Sequence, residues 1–136
     1  MSWLDIKREI SDAIGSIDRL RGRAYHYSAR KVNPPAFLVD LPERFVPHAT
    51  YGGGMSRWTI PFTVVVGAVH AESSEAELSE FMDVEGPRSV IQAVEHYLYT
   101  SCSGVTVTGV EPVAMTFGGV QLLGALFSSD IAGKGR

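Results

Sequence analysis

With 136 residues, 45% of them hydrophobic and 20% charged, the chain has the length and composition of one globular domain and not of a disordered protein. A net charge of −3 argues against a surface that wraps nucleic acid, because phosphate binding is built from clustered lysine and arginine. The single cysteine, Cys102, excludes an internal disulfide and multi-cysteine metal sites. No apolar run reaches the roughly 18 residues of a membrane span, so we expect a soluble protein made in the cytoplasm and not exported.

The first predicted element is an N-terminal amphipathic helix. Apolar residues recur at intervals of three and four from Leu4 to Ile17, with charged residues between them. Ser2 is the predicted cap, with Asp5 at the reciprocal capping-box position, and Gly15 is a predicted end of the helix. Such a helix must lay its apolar stripe on another element.

Two short strands and a loop come next. We predict strands over Tyr25–Arg30 and Ala36–Leu41, the second confined by the prolines on either side of it. Glu43–Arg57 contains a proline and three consecutive glycines, so it is predicted to be a long loop, and loops of that length are usually functional or disordered.

A long strand is predicted from Trp58 to Val69. Its even-numbered positions from 60 to 68 are apolar and its odd-numbered positions are mixed, which is typical of a sheet covered by helices on one face only. Pro61 places this strand near an edge or at a bulge.

Two short helices follow the long strand. Ser74-x-x-Glu77 has the spacing of a capping box and predicts a helix over Glu75–Met82. Pro87 is the predicted first residue of a second helix, whose apolar stripe runs as far as Leu98.

The last two predicted strands, Val105–Val113 and Gly119–Ile131, form an antiparallel pair joined by a glycine turn. Residues 132–136 have nothing to bury and are expected to fray. The element order predicts a single α+β domain over residues 1–136, with a mainly antiparallel β-sheet packed by helices on one face.

The sequence contains no convincing catalytic, cofactor or metal motif. The four histidines lack a short ligand spacing, and the glycine run lacks the lysine of a phosphate-binding loop. Nothing near Cys102 lowers the pKa of its thiol, and the carboxylates of residues 75–83 are expected on the outer face of a helix. We therefore predict a non-enzymatic protein. A ligand pocket between sheet and helices, with His96 and Tyr99 as its polar groups, stays open as an alternative.

Charge is distributed unevenly. Residues 1–31 hold seven basic side chains against four acidic ones, whereas residues 70–95 hold seven acidic side chains against Arg88 alone. These are either solvated helix faces or charges that orient one subunit against the next. Arg19, Arg21 and Arg23 suit nucleic acid or an acidic partner, and the acidic helices of a neighbouring copy are the simpler choice. Each tryptophan, at 3 and 58, either anchors its element to the core or lies at an interface.

The order of these segments resembles the tail terminator proteins of long-tailed phages, particularly those of actinobacterial siphophages, over nearly the whole chain. The residues that carry the resemblance follow the N-terminal helix: Pro34-Pro-Ala-Phe-Leu-Val-Asp-Leu-Pro42, the triple glycine before Trp58 and its valine strand, Gly86-Pro-Arg-Ser-Val-Ile, and the closing strand entered through Gly118-Gly119-Val120.

The resemblance implies a structural virion protein. It implies a ring of copies, six in the family, which caps the tail tube, stops its growth and joins the tail to the head completion (stopper) protein. The expected partners are the chain itself, the major tail tube protein, the stopper protein and genomic DNA that passes through the bore without sequence-specific binding. No cofactor, metal or membrane is expected. Other neck proteins and tube proteins share parts of this topology and remain alternatives.

The same analogy suggests where subunits or the tube make contact. The candidate residues lie in the predicted loop and at the start of the second predicted helix: Arg44, Tyr51, Gly52, Gly53, Gly54, Met55, Arg57 and Arg88.

Overall fold

The structure, a computed structural model, describes residues 3–21, 24–25, 35–46, 57–69, 71–100, 102–117 and 119–132. Within them lie three α-helices, a short 3-10 helix (Asp18–Leu20) and seven strands, and together they form the predicted α+β fold with its N-terminal helix. The helices are α1 (Trp3–Ile14), α2 (Glu72–Met82) and α3 (Val90–His96). The strands are β1 (Ala24–Tyr25), β2 (Ala36–Val39), β3 (Arg44–Val46), β4 (Arg57–Thr59), β5 (Phe62–Ala68), β6 (Gly104–Phe117) and β7 (Val120–Ala132).

Strand β7 is the strand on which the sheet is assembled. Along one edge it pairs with β6 over nearly its whole length, which confirms the predicted C-terminal antiparallel pair. Along its other edge it pairs with β5, from Phe62↔Phe127 to Ala68↔Leu122, and then with β4. Beyond these, β2 pairs with β5 and β3 with β4, all antiparallel, and the two-residue β1 joins β2 in parallel.

Two of the strand pairs form one interrupted hairpin. The amide of Asp40 donates to the carbonyl of Pro61 at 2.9 Å, and the amide of Glu43 donates to the carbonyl of Thr59 at 2.8 Å. Pairing therefore continues from β2–β5 into β3–β4 across a short break. The break in the predicted strand falls at residues 60 and 61, where Pro61 has no amide hydrogen to donate.

The prediction of a loop over Glu43–Arg57 was wrong at both ends of that segment. Residues 44–46 form β3, and Arg57 opens β4, with Arg44 opposite Thr59 and Val46 opposite Arg57. Short strand segments of three residues have too little periodicity to be recognised in a sequence, and pairing with β7 stabilises this pair. The middle of the loop, residues 47–56, lies outside the described residues.

The main core lies between the helices and one face of the sheet. The stripe of α1 packs against β1, β2 and α3, and its buried isoleucines share one core with the even-numbered side chains from Trp58 to Val66. Phe62 stacks on Phe127, its partner across the strands, and also contacts Phe37, with ring centroids 5.3 Å apart in each pair. Buried members of the main core include Ile6, Ile10, Ile14, Leu20, Phe37, Ile60, Phe62, Val64, Phe81, Val94, Phe127 and Ile131.

The opposite face of the sheet carries a second, smaller group of buried side chains. We call it the outer cluster; it consists of Ala36, Leu38, Val65 and Leu122. Tyr25 and Met115 pack against it. Among the described residues the helices cover only the other face, which confirms that prediction.

Helices α2 and α3 begin at other residues than the sequence predicted. Helix α2 begins at Glu72, so Ser74 is a buried residue of its first turn and not a cap. A side chain at Gly67 would meet the Ser74 hydroxyl at 2.8 Å, so this close contact between strand and helix requires both small residues. Helix α3 begins only after Ser89, whose hydroxyl accepts the amide of Gln92. Pro87 therefore precedes the helix, and Leu98, predicted to be part of its stripe, is 89% exposed beyond its end.

Gly124 lies at a close approach of β7 to β5. A side chain there would overlap the carbonyl oxygen of Val64 and lie 3.1 Å from the terminal methyl group of Met115. We expect Gly124→Ala to reduce the free energy of unfolding by about 2 kcal/mol, because a methyl group forced into packed backbone displaces the strands. Urea denaturation followed by circular dichroism measures this.

The matched control is Gly109→Ala in β6, where an added methyl group meets nothing within 4 Å. It should leave stability within about 0.5 kcal/mol of the wild type. Equal effects of the two substitutions would contradict the close approach of β5 and β7.

Candidate subunit interface

Two of the predicted contact residues, Arg44 and Arg57, lie together on the sheet face away from the helices. Arg44 is opposite Thr59, and Arg57 is two positions from Thr59 on the same strand, so the three residues share a face. The guanidinium of Arg57 lies 3.9 Å from the carboxylate of Asp130 on β7, and the Thr59 hydroxyl donates to the same carboxylate at 3.5 Å. Both arginines are exposed. They form a charged surface where β3 and β4 lie at the edge of the sheet.

The third predicted arginine, Arg88, lies in the helix layer. Its guanidinium pairs with Glu80 of α2 at 3.2 Å. The Ser89 hydroxyl donates to the carbonyl of Asp83 at 2.6 Å and accepts the amide of Gln92, while the Gln92 side chain accepts the amide of Gly86 at 2.8 Å. These bonds hold the α2–α3 connection in place. Because Arg88 lies on the helix side, the structure does not bring it together with Arg44 and Arg57.

The other predicted contact residues, Tyr51, Gly52, Gly53, Gly54 and Met55, lie outside the described residues. Their place at an interface therefore stays a prediction.

Part of the charge that was assigned to a neighbouring copy is used within the chain. Arg19 donates to Glu77 of α2 at 3.2 Å, and Arg21 pairs with Asp18 at 2.8 Å. The intramolecular pair forms because the turn after α1 brings Arg19 against α2. Glu75, Glu80 and Asp83 are exposed, as predicted. Among the described residues, Glu72 and Glu75 of α2 and Asp83 just after it have no ion-pair partner.

The two tryptophans differ in their surroundings. Trp58 packs partly buried against the main core, as a residue that anchors its strand. Trp3 and its neighbour Leu4 are each 37% exposed at the start of α1. The sequence pattern places Leu4 on the apolar stripe, but it lies two residues before the first buried isoleucine, Ile6, and therefore about 200° away from it around the helix.

Beneath Trp3 lies a buried lysine that sequence reasoning missed. Lys7 is 3% exposed, and its ammonium group lies 5.4 Å from the centre of the Trp3 ring. Burial lowers the pKa of Lys7 below its usual 10.5, and the negative charge of Asp40 offsets part of that effect. From the sequence, a lysine between Ile6 and Arg8 is expected to be solvated. Its burial becomes evident only from the packing of α1 against the sheet.

Of the two polar residues predicted for the alternative ligand pocket, His96 lines a groove and Tyr99 does not. A groove of about 360 Å³ between the end of α1 and α3 is lined by His96 and Tyr97 among others. Tyr99 does not line it, because its hydroxyl donates to the carbonyl of Val94 at 2.7 Å. Burial raises the pKa of Tyr99 far above its usual range, with smaller contributions from Cys102, Glu9 and Tyr97. Cys102 itself is buried in the main core.

The described residues hold no group of three or more histidine, cysteine, aspartate or glutamate side chains placed to bind a metal ion. No helix within the described ranges has the length and apolar character needed to cross a membrane. No protein-family model matches the chain, and no curated protein matches it either.

Replacement of Lys7 should change how the free energy of unfolding depends on pH. The unfolded chain binds this proton more tightly than the folded chain, so wild-type stability must rise with pH in the interval just below 10.5. We expect the stability advantage of Lys7→Met over the wild type to shrink between pH 7 and about pH 10. Denaturation of both proteins at each pH measures the difference.

Arg8→Met, on the same helix, is the control, because it removes an exposed cation in place of a buried one. Its stability difference from the wild type should not change with pH. A pH-independent difference for Lys7→Met as well would show that Lys7 is not desolvated.

Proposed function

We propose that this chain is a structural subunit of a phage virion, a tail terminator that forms a ring at the head-proximal end of the tail tube. The ring stops tube polymerisation and joins the tail to the head completion protein. In this proposal the protein acts by shape and contact, without a cofactor or a reaction.

The observation that carries the proposal is the arrangement of two different surfaces at opposite sides of one continuous sheet. Helix α1 packs against β1 and β2 at one side, while the β6–β7 hairpin forms the other side. Contacts between two different surfaces repeat from copy to copy and close into a ring when the rotation between copies allows it. Because all strands are linked through β7, the angle between the two surfaces is fixed within each copy.

Three further features support the same proposal. The described fold has the element order on which the resemblance to tail terminators rests: a helix, the interrupted hairpin, two short helices and a closing hairpin. Arg44 and Arg57 provide an exposed charged surface at one end of the sheet. The net charge of −3 suits a bore for DNA, because a strongly basic lining would retain the phosphates.

The proposal predicts closed rings of the purified chain and shorter tubes in its presence. Sedimentation velocity and negative-stain images report the rings. Polymerisation of purified major tail tube protein, with and without the chain, reports capping as a shortening of mean tube length. Arg44→Glu and Arg57→Glu, made together, should abolish capping while the circular dichroism spectrum stays unchanged, since reversed charge repels a surface that the arginines attract.

Arg21→Glu is the matched control for exposed charge, and His96→Ala tests the ligand-pocket alternative; both should cap normally. A chain that stays monomeric at all concentrations and leaves tube length unchanged would refute the proposal. Rings that bind only the stopper protein and never tubes would favour a different neck protein.

A further inference from the structure

Helix α1 makes polar contacts on both flanks of its apolar stripe. Each residue advances about 100° around a helix, so Lys7 and Glu9 lie on opposite sides of the stripe that contains Ile6 and Ile10. On one flank Lys7 is buried and interacts with the charge of Asp40, which follows β2. On the other flank Glu9 reaches the chain between α3 and β6. Helix α1 is therefore tied to two different parts of the domain.

The partner of Glu9 is Thr100. The amide of Thr100 donates to both carboxylate oxygens of Glu9, at 3.2 and 2.9 Å, and the Thr100 hydroxyl donates at 3.2 Å. Hydrogen bonds to a charged acceptor are about twice as strong as neutral ones. The two residues are 91 positions apart, so one side chain ties the N-terminal helix to the chain that enters the C-terminal hairpin.

We call the segment that Glu9 holds the α3–β6 strap; it consists of residues 97–100, directly after α3. Tyr99 packs against the main core, and its hydroxyl donates to the carbonyl of Val94 at 2.7 Å. The Tyr97 ring meets the Tyr99 ring edge-on, with centroids 4.9 Å apart, whereas Leu98 between them is 89% exposed. The strap is thus held by Tyr99 from within and by Glu9 from α1.

The thiol of Cys102 is buried just beyond the strap. Cys102 is 1% exposed and belongs to the main core. Cys102 and Glu9 both act electrostatically on the Tyr99 hydroxyl, so the three groups lie close together. After the cysteine, the chain is attached to the sheet, because the amide of Ser103 donates to the carbonyl of Ala132 at 2.8 Å. The strap can therefore open while Ser103 stays paired.

We propose that Glu9 is the clasp by which α1 keeps the α3–β6 strap closed over Cys102, so that α1 and the strap open together as one unit. Opening breaks the hydrogen bonds between Glu9 and Thr100, undocks the apolar stripe of α1 and exposes the thiol. The inference concerns a single copy of the chain and does not rest on the proposed function.

The central strands stay paired in this opening. Helix α1 packs against α3 and against β1 and β2, which lie at the outer side of the sheet. The pairing of β7 with β4, β5 and β6 involves neither α1 nor the strap. A part of a domain that can separate without breaking the central pairing opens at a lower free energy than the whole domain.

Thiol labelling under native conditions tests the clasp, because Cys102 is the only cysteine. Its thiolate attacks an aromatic disulfide reagent, forms a mixed disulfide and releases a coloured thiolate that is counted by absorbance. Glu9→Ala should raise the labelling rate about tenfold or more, because it removes hydrogen bonds to a charged group. Glu9→Gln should give an intermediate rate, since its side-chain carbonyl accepts the same amide without a charge.

Asp12→Ala is the matched control. It removes an exposed carboxylate of the same helix that has no ion-pair partner among the described residues, and it should change the labelling rate less than about twofold.

Ile10→Ala tests whether α1 and the strap open as one unit. A cavity beneath α1 weakens its docking, so this substitution should also speed the labelling of Cys102, and Ile10→Val should do so to a smaller extent. Gly124→Ala weakens the sheet instead and should leave the rate without urea within about twofold of the wild type. In low urea the rate should rise less steeply than global unfolding does, because local opening exposes less surface.

Three results would overturn the inference. Equal labelling rates of Glu9→Ala and Asp12→Ala would remove the clasp. Labelling with the full urea dependence of global unfolding would show that the thiol is exposed only when the whole domain unfolds. Fast labelling of Glu9→Ala, together with wild-type rates for both Ile10 variants, would show that the strap opens without α1. Circular dichroism checks that each variant is folded before labelling.

Discussion

The pairing of β7 with two sets of strands is the constraint on which the rest of the structure depends. Its first half binds β5 and its second half binds β4, while its other edge holds β6 throughout. The interrupted hairpin and the C-terminal hairpin are therefore parts of one sheet, joined where Gly124 lets β5 approach. Phe62 and Phe127 stack across the same pair of strands and belong to the same core as the isoleucines of α1. Loss of this pairing would separate the hairpins and remove the surface on which all three helices pack.

The same constraint gives the proposed assembly its rigidity. A ring closes only if the two contact surfaces of each subunit hold a constant angle. Here α1 lies at the β1–β2 side of the sheet and the β6–β7 hairpin forms the other side, and the packed strands between them deform little. Ion pairs such as Arg19–Glu77 and Arg88–Glu80 attach the turns around α2 to their neighbours, although exposed pairs add only about 0 to 1 kcal/mol each. Hydrophobic burial against the sheet, and not surface charge, thus fixes the relative positions of these elements.

Sequence patterns predicted the elements whose periodicity extends over several turns or strand residues. The stripe of α1, the alternation around Val64 and the C-terminal pair are of this kind, and they suffice for the α+β fold. The prediction failed where the deciding contact is distant in sequence. Ser74 resembles a cap but lies against Gly67, and β3 forms because Arg44–Val46 meets β4. For the candidate interface, the exposure of Arg44, Arg57 and the α2 carboxylates was predictable. The burial of Lys7 was not, since it arises from how α1 lies on the sheet.

Amide hydrogen exchange under native conditions tests most directly whether β7 holds the molecule together. The central amides of β7, between Leu122 and Phe127, should exchange last and with the same free energy of opening as those of β5, because both become exposed only when the whole domain unfolds. Amides of α1 and α2 should exchange no more slowly than these. If β5 and β7 exchanged at clearly different free energies, or if a helix outlasted them, the two hairpins would open independently. The fixed angle between the proposed contact surfaces would then have no structural basis.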